Sequence, residues 1–407
     1  MSLHPTTTTL HLTSIPPGTF IGIDLTSFTS TPAFQGVKLI PSGLHLLYYS
    51  TTTDSSLRNG FWFYAHPGRV ISKTWDPEAE IATLVDAPPS AGLEERLYAE
   101  NLTPYKQRDA EGRVMVGGGG QEWRALSGCV RERTLERCLG EGWVCGTAGV
   151  SGMDYDAGEE VMMGFPPGGG GGVDVMWTRV DLKVTWPAGT IGRERTEMAK
   201  DRSWALNNLL HGLASENQDD AERELLGELQ LSFIMSITLG SYSAMEQYRR
   251  LLGLCLTSRA CVFHERRKLF EGLLETLLAQ LHYVDGDFWA GFVDGGDGDD
   301  NWLAKLLRRF GGGIKEAVNE QQQADPDKDS IVRLFRDMES LTRRKFDWVL
   351  DHKDVVRRGL VQTEDGDMIE LELPGLDEED ETGEYAPVIV EEVVGEGEGG
   401  GGTMAGG

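Results

Sequence analysis

The sequence predicts an α+β multidomain protein: an N-terminal antiparallel β-rich domain, sandwich- or barrel-like, over residues 1–190, an all-α domain over 193–360, and an acidic, glycine-rich disordered tail over 361–407. Three observations carry this reading. The apolar pattern changes near residue 193 from short β-prone runs to a helical period. The length, 407 residues, exceeds the ~250–300 at which single cores stop growing. The charge is also lopsided: no basic residue follows Arg358, while 15 acidic residues lie after position 360.

In the first half, Thr, Val, Ile and aromatic residues gather in runs separated by Pro and Gly: FIGIDL (20–25), GVKLI (36–40), LHLLYYS (44–50), FWFYA (61–65) and VDVMW (173–177). Short strands bounded by turn residues predict a sandwich or barrel rather than alternating βα units. The run Leu44–Tyr49 is almost continuously apolar and reads as a central strand buried on both faces. One helical interruption is expected at 92–108, where Leu93, Leu97 and Tyr98 share a face. The glycine runs 117–120 and 168–172 read as flexible loop insertions.

In the second half, successive stripes predict helices. They run through Met198, Leu206, Leu209 and Leu210; through Leu225, Leu226, Leu229 and Phe233; and through Met245, Tyr248, Leu252 and Cys255. The strongest is Leu269, Phe270, Leu273, Leu274, Leu277, Leu278 and Leu281; the last is Ile331, Leu334, Phe335, Met338 and Leu341, with Trp348 on the same side. Gly240 is suited to end a helix, and Ser243-Ala-Met-Glu246 has the spacing of a capping box. Short links between such helices predict an antiparallel stack or superhelix without a fixed repeat.

The net charge of −27 divides into −15 after residue 360 and −12 before it, where 50 acidic residues face 38 basic ones. This argues against broad binding to nucleic acid or to anionic membranes. The sequence has no span of ~18 apolar residues and no secretory pattern in MSLHPTTTTLHLTS, and its five cysteines suit a reducing compartment. Asn101-Leu-Thr103 matches a glycosylation acceptor only by accident on that reading.

Motifs for chemistry are incomplete. His264-Glu265 is followed by Arg-Arg-Lys, so the second histidine of a zinc-protease helix is missing. Cys261-Val-Phe-His264 has ligand-like spacing without a second pair, and Cys129, Cys138 and Cys145 read as buried apolar groups. A calcium loop from Asp297 fails at Trp302 and Arg308, where glycine and glutamate are required, leaving Asp294 to Asp300 as a solvated acidic loop. Gly149-Val-Ser151-Gly152 lacks the last glycine of a nucleophile elbow, and the glycine runs lack the Lys-Ser/Thr of a phosphate cradle. His45, inside an apolar strand, reads as a satisfied core imidazole, and no cofactor is expected. The tail contains one β-prone island, residues 385–394, suited to adding a strand to a partner's sheet edge.

Two blocks together resemble a known family. Gly22-Ile-Asp24, Phe34-Gln-Gly36-Val-Lys-Leu-Ile-Pro-Ser-Gly43-Leu-His45 and Tyr49-Ser50, continued by Gly60-Phe-Trp-Phe63 and Trp75-Asp76, are similar to the N-terminal signature of the A1-cistron splicing factor family. Glu224-Leu-Leu-Gly-Glu-Leu-Gln230, Phe233, Gly240, Tyr242, Ala244, Glu246 and Tyr248-Arg-Arg-Leu-Leu252 resemble its helical-domain signature.

The resemblance implies a VHS-like helical superhelix and a non-enzymatic role as an assembly factor for the U5 small nuclear ribonucleoprotein (U5 snRNP), in cytoplasm and nucleus. The implied partner is the large spliceosomal scaffold protein, bound at its RNase H-like and MPN-type domains so that the helicase cannot associate early. Little or no direct RNA contact and no membrane are implied. Tyr385, Pro387, Val388, Ile389 and Val390 are the implied bridging strand. A VHS-type adaptor for peptide signals and a hydrolase with a dispersed site are the competing expectations.

Overall fold

The computed structural model describes residues 6–51, 57–76, 83–87, 102–108, 114–116, 120–147, 175–192, 195, 198, 201–214, 218–263, 265–290, 301–320 and 329–350, with the backbone of 357–362 and 368–373. The N-terminal half forms two five-stranded sheets. One has the order β8 (Thr83–Asp86), β7 (Val70–Asp76), β1 (Thr8–Thr13), β4 (Gly36–Ile40) and β9 (Thr103–Pro104). The other has the order β12 (Val144–Gly146), β6 (Asn59–Ala65), β5 (Gly43–Ser50), β2 (Phe20–Ile23) and β3 (Thr26–Thr29). A ribbon of β10 (Lys106–Arg108) and β11 (Val114–Val116) stands apart. Pairing is mostly antiparallel, but β1 with β7 and β4 with β9 are parallel.

The central strand shows why its sequence lacks polar alternation. His45, Leu47 and Tyr49 point toward the other sheet, where Leu47 and Tyr49 join Leu10, Leu12, Val37, Ile40 and Trp75 in one core. Leu44, Leu46 and Tyr48 point the opposite way, into a second core shared with the helices. Period-two geometry thus buries both faces. Gly22 is required opposite this strand, because a Cβ there would lie 2.0 Å from the Tyr48 ring.

The helices are α1 (Gln121–Ser127), α2 (Glu132–Leu139), α3 (Ser203–Leu213), α4 (Gln218–Leu239), α5 (Tyr242–Thr257), α6 (Arg267–Tyr283), the short α7 (Gly286–Ala290), α8 (Trp302–Glu320) and α9 (Asp329–Phe346). The predicted stripes form their buried faces: Leu269, Phe270, Leu273, Leu274, Leu277 and Leu281 of α6 are fully enclosed, as are Ile331 and Met338 of α9. Gly240 ends α4 at φ 65°, a left-handed conformation that glycine adopts without a Cβ penalty. No described helix is long and apolar enough to cross a membrane.

Several elements differ from expectation. The helix expected at 92–108 ends as extended chain: β9 adds to the edge of β4, where Pro104 is tolerated and the Tyr105 amide donates to Lys38 O at 2.8 Å, and β10 pairs with β11. Leu93, Leu97 and Tyr98 lie outside the described residues. Of the expected strand 173–177 only a bridge at Val175 is described; Met176 N instead donates to Cys138 O at the end of α2. The helix cap after Gly240 is Ser241, whose hydroxyl accepts from Ala244 N, not Ser243, whose hydroxyl accepts from the Trp177 indole at 2.8 Å. Cys261, of the ligand-like spacing, stands in a turn.

Beyond α9, where solvated tail was expected from 361, the chain forms a hairpin of β13 (Arg357–Gln362) and β14 (Met368–Leu373), with Arg357 opposite Leu373. The sequence Met-Ile-Glu-Leu-Glu-Leu alternates with period two, which suits a strand even in acidic surroundings. Residues 374–407 lie outside the described residues, as do Gly117–Gly119 and Gly168–Gly172.

Candidate functional site

Among the described residues of the β-rich half, Asp24, His45 and Tyr105 form a tight buried polar cluster. Asp24 sits in the β2–β3 turn at φ 51°, a left-handed conformation that aspartate tolerates better than most residues. There its amide donates to Leu46 O, and its Oδ1 accepts from Leu46 N at 2.9 Å. Oδ2 lies 2.6 Å from His45 Nδ1 and also accepts from the Tyr105 hydroxyl. His45 Nε2 lies 2.9 Å from Pro41 O.

Both imidazole nitrogens therefore face acceptors, so the ring is satisfied as an imidazolium against the Asp24 carboxylate. Burial pushes the His45 pKa down, but the Asp24 charge and the two hydrogen bonds outweigh it and raise the value. All three residues are at most 2% exposed. A proton-loaded ring with no open nitrogen cannot act as a general base. This is a structural ion pair, as the sequence reading of His45 required.

The thiols are equally unsuited to nucleophilic chemistry. Burial raises Cys145 and Cys255 to about 12 and Cys261 to about 11, and raises Cys129 and Cys138 as well. Among the described residues no group of three or more His, Cys, Asp or Glu is placed to hold a metal ion. His264, the other half of the Cys261 spacing, and Asp294, Asp297, Asp299 and Asp300 lie outside the described residues.

The dominant polar constellation is a clasp that joins the two halves. Arg137 of α2 donates from Nε to Glu224 Oε1 at 3.0 Å, from Nη2 to Glu228 Oε2 at 2.7 Å and from Nη1 to Thr178 Oγ1 at 2.8 Å. Glu228 also accepts from Thr178 N at 2.8 Å and from Gln247 Nε2 at 2.7 Å, and Glu224 accepts from the Thr134 hydroxyl at 3.0 Å. Burial works against the Arg137 charge, but Glu228 and then Glu224 raise its pKa. Glu224 and Glu228 stand at i and i+4 on one face of α4. Between them Gly227 lets the α1–α2 turn close in, since a Cβ there would lie 2.6 Å from Cys129 O. Gln230 completes the contact, accepting from Cys129 N at 2.7 Å and donating to Ala125 O at 3.2 Å.

Apolar contacts continue the seam into the sheet. Trp123 of α1 stacks on Trp62 of β6 at 5.9 Å and donates its indole N–H to Leu44 O at 2.7 Å. One core therefore runs from the outer face of the β5–β6 sheet through α1 and α2 to α4 and α6. The segment Glu224-Leu-Leu-Gly-Glu-Leu-Gln230 serves this internal docking. Arg137, Thr178 and Trp123 were not singled out by the sequence; the signal that could have found Arg137 is a pair of glutamates on the buried face of an apolar helix, which demands a cation.

The implied tail strand, Tyr385, Pro387, Val388, Ile389 and Val390, lies outside the described residues. Comparison with known proteins places the chain as a whole. The model of the AAR2 N-terminal domain matches residues 6–140, and that of the AAR2 C-terminal repeat region matches 177–351. The chain is 26% identical to the Protein AAR2 homolog of Macaca fascicularis over 337 residues, covering 74% of this chain and 81% of the relative. It is 25% identical to the human homolog over 336 residues, with the same coverage, and 22% identical to that of Caenorhabditis elegans, covering 75% and 85%. The two matches span both halves that the clasp unites, in the order the two sequence blocks require, and the chain belongs to the AAR2 family, the A1-cistron splicing factors.

Proposed function

We propose that this chain is a non-catalytic assembly factor for the U5 snRNP in pre-mRNA splicing. In this reading it binds the large spliceosomal scaffold protein at its RNase H-like and MPN-type domains and keeps the helicase from associating prematurely. It works in the cytoplasm and nucleus, its helical half is a VHS-like superhelix, and Tyr385, Pro387, Val388, Ile389 and Val390 add a strand to the partner. The observation that carries the reading is family membership across both halves. The sealed His45–Asp24 pair and the suppressed thiols agree with a binding role.

The test is capture of the purified RNase H-like and MPN-type domains by the full chain and by a chain lacking residues 385–394. The expected result is that the full chain holds both domains and the shortened chain loses the bridge between them. Failure of the full chain to hold either domain overturns the reading.

A further inference from the structure

In a chain of net charge −27, the outer face of α9 is basic. Arg333, Arg336, Arg343 and Arg344 are all exposed. At 100° per residue they fall within an arc of roughly 100°, opposite the buried Ile331, Phe335 and Met338. Among the described side chains two acids are exposed here, Asp337 on the helix and Asp347 just past its end; Glu339 is engaged by Lys315 at 3.4 Å, and Lys345 donates to the carbonyls of Leu281 and His282. From Arg333 to Arg344 the stripe runs about 17 Å, at 1.5 Å per residue, along a helix of 18 residues.

We propose that the acidic run at residues 377–384 docks on this stripe, so that the free protein holds its own C-terminal segment against the helical half. Six of those eight residues are Asp or Glu, the densest acidic run in the tail. The hairpin makes the contact local. Leu350 is buried and marks where the chain leaves the helices; seven residues later Arg357 pairs with Leu373, so the hairpin returns the chain to its point of departure. Four more residues reach Asp377. Eleven residues of connecting chain span at most about 36–40 Å. The run therefore reaches every arginine of α9, and those nearest the hairpin, Arg343 and Arg344, most readily. Bidentate arginine–carboxylate pairing suits this contact, and so does the effective concentration of a short tether.

Docking would bring residues 385–390, which follow directly, to the surface of the helical half. That consequence rests on the function proposed above; the contact itself does not.

The test uses the full chain, alone, by small-angle X-ray scattering in 10 mM and 1 M NaCl, where the screening length falls from about 30 to about 3 Å. A free tail carrying 15 acids repels itself and contracts as salt rises; a docked tail is released and the radius of gyration increases. Wild type is expected to expand with salt, and the variant R333Q/R336Q/R343Q/R344Q to contract. Cleavage by a glutamate-specific protease within 377–384 at low salt is expected to be several-fold faster in that variant.

Contraction of the wild type with salt, or equal cleavage of the two proteins, overturns the proposal. So does arginine-dependent binding of an oligouridine probe without salt expansion, which would assign the stripe to phosphate. Because the partner is absent, failure here leaves the scaffold-binding reading intact, and failure of domain capture leaves the docking intact.

Discussion

Replacing Arg137 by Met keeps an unbranched apolar stem while removing the charged guanidinium. The substitution deletes three donated hydrogen bonds and strands two carboxylates whose side chains are 2% and 0% exposed. Breaking a buried pair from one side costs about 3–5 kcal/mol. The lower end applies here, because Arg137 is 25% exposed and Glu228 keeps Thr178 N, Thr178 Oγ1 and Gln247 Nε2 as donors. A loss of about 3 kcal/mol lowers Tm by about 6–12 °C, at roughly 2–4 °C per kcal/mol. Urea denaturation followed by tryptophan fluorescence measures the loss. The cycle with Glu228→Gln is expected to show a coupling of about 1–3 kcal/mol. Hydrogen exchange should report faster opening of α1 and α2. A loss below about 1 kcal/mol, or additive single variants, would refute the clasp as the joint between the halves and leave it to apolar packing alone.

The His45–Asp24 pair has a sign that can be checked. Because the folded pKa of His45 is raised above 6.5, its stabilisation is full below about pH 6.5 and is lost as pH rises through the folded value. Urea midpoints from pH 6 to 9 should show the advantage of wild type over His45→Gln shrinking toward the alkaline end; a constant or growing advantage contradicts the imidazolium assignment. Gly227→Ala forces a methyl against Cys129 O and is expected to destabilise by about 1–3 kcal/mol. Gly212→Ala in α3 meets nothing within 4 Å and is expected to stabilise by about 0.5–1 kcal/mol, so equal effects in thermal melts would contradict the close-approach account.

Local patterns were enough wherever one element's own residues decide its state. The two-faced burial of Leu44–Tyr49, the Leu269–Leu281 stripe and the left-handed Gly240 could all be read from spacing and residue type. The two family blocks carried the identity because their residues answer to local geometry as well as to contacts. Gly22 faces the Tyr48 ring, Asp24 binds His45, and Gly36, at φ 133°, passes Leu10 O where a Cβ would lie 2.0 Å away. Misreadings arose where a distant partner outvoted the local pattern. Residues 103–104 became extended because β4 offered an edge, and Ser243 turned from capping to the Trp177 indole; the pairing of 357–362 with 368–373 was instead masked by the acidic stretch around it.

Residue order alone carries the change from strand to helix, the lack of a contiguous catalytic motif and the concentration of acid in the tail. That the halves share one core and one clasp is a property of the folded chain. Arg137, Thr178 and Glu228 are separated by 41 and 50 residues in sequence. Their pairing follows from the need to neutralise carboxylates removed from water, a requirement visible in Glu228 but not addressed to any particular cation until the chain has folded.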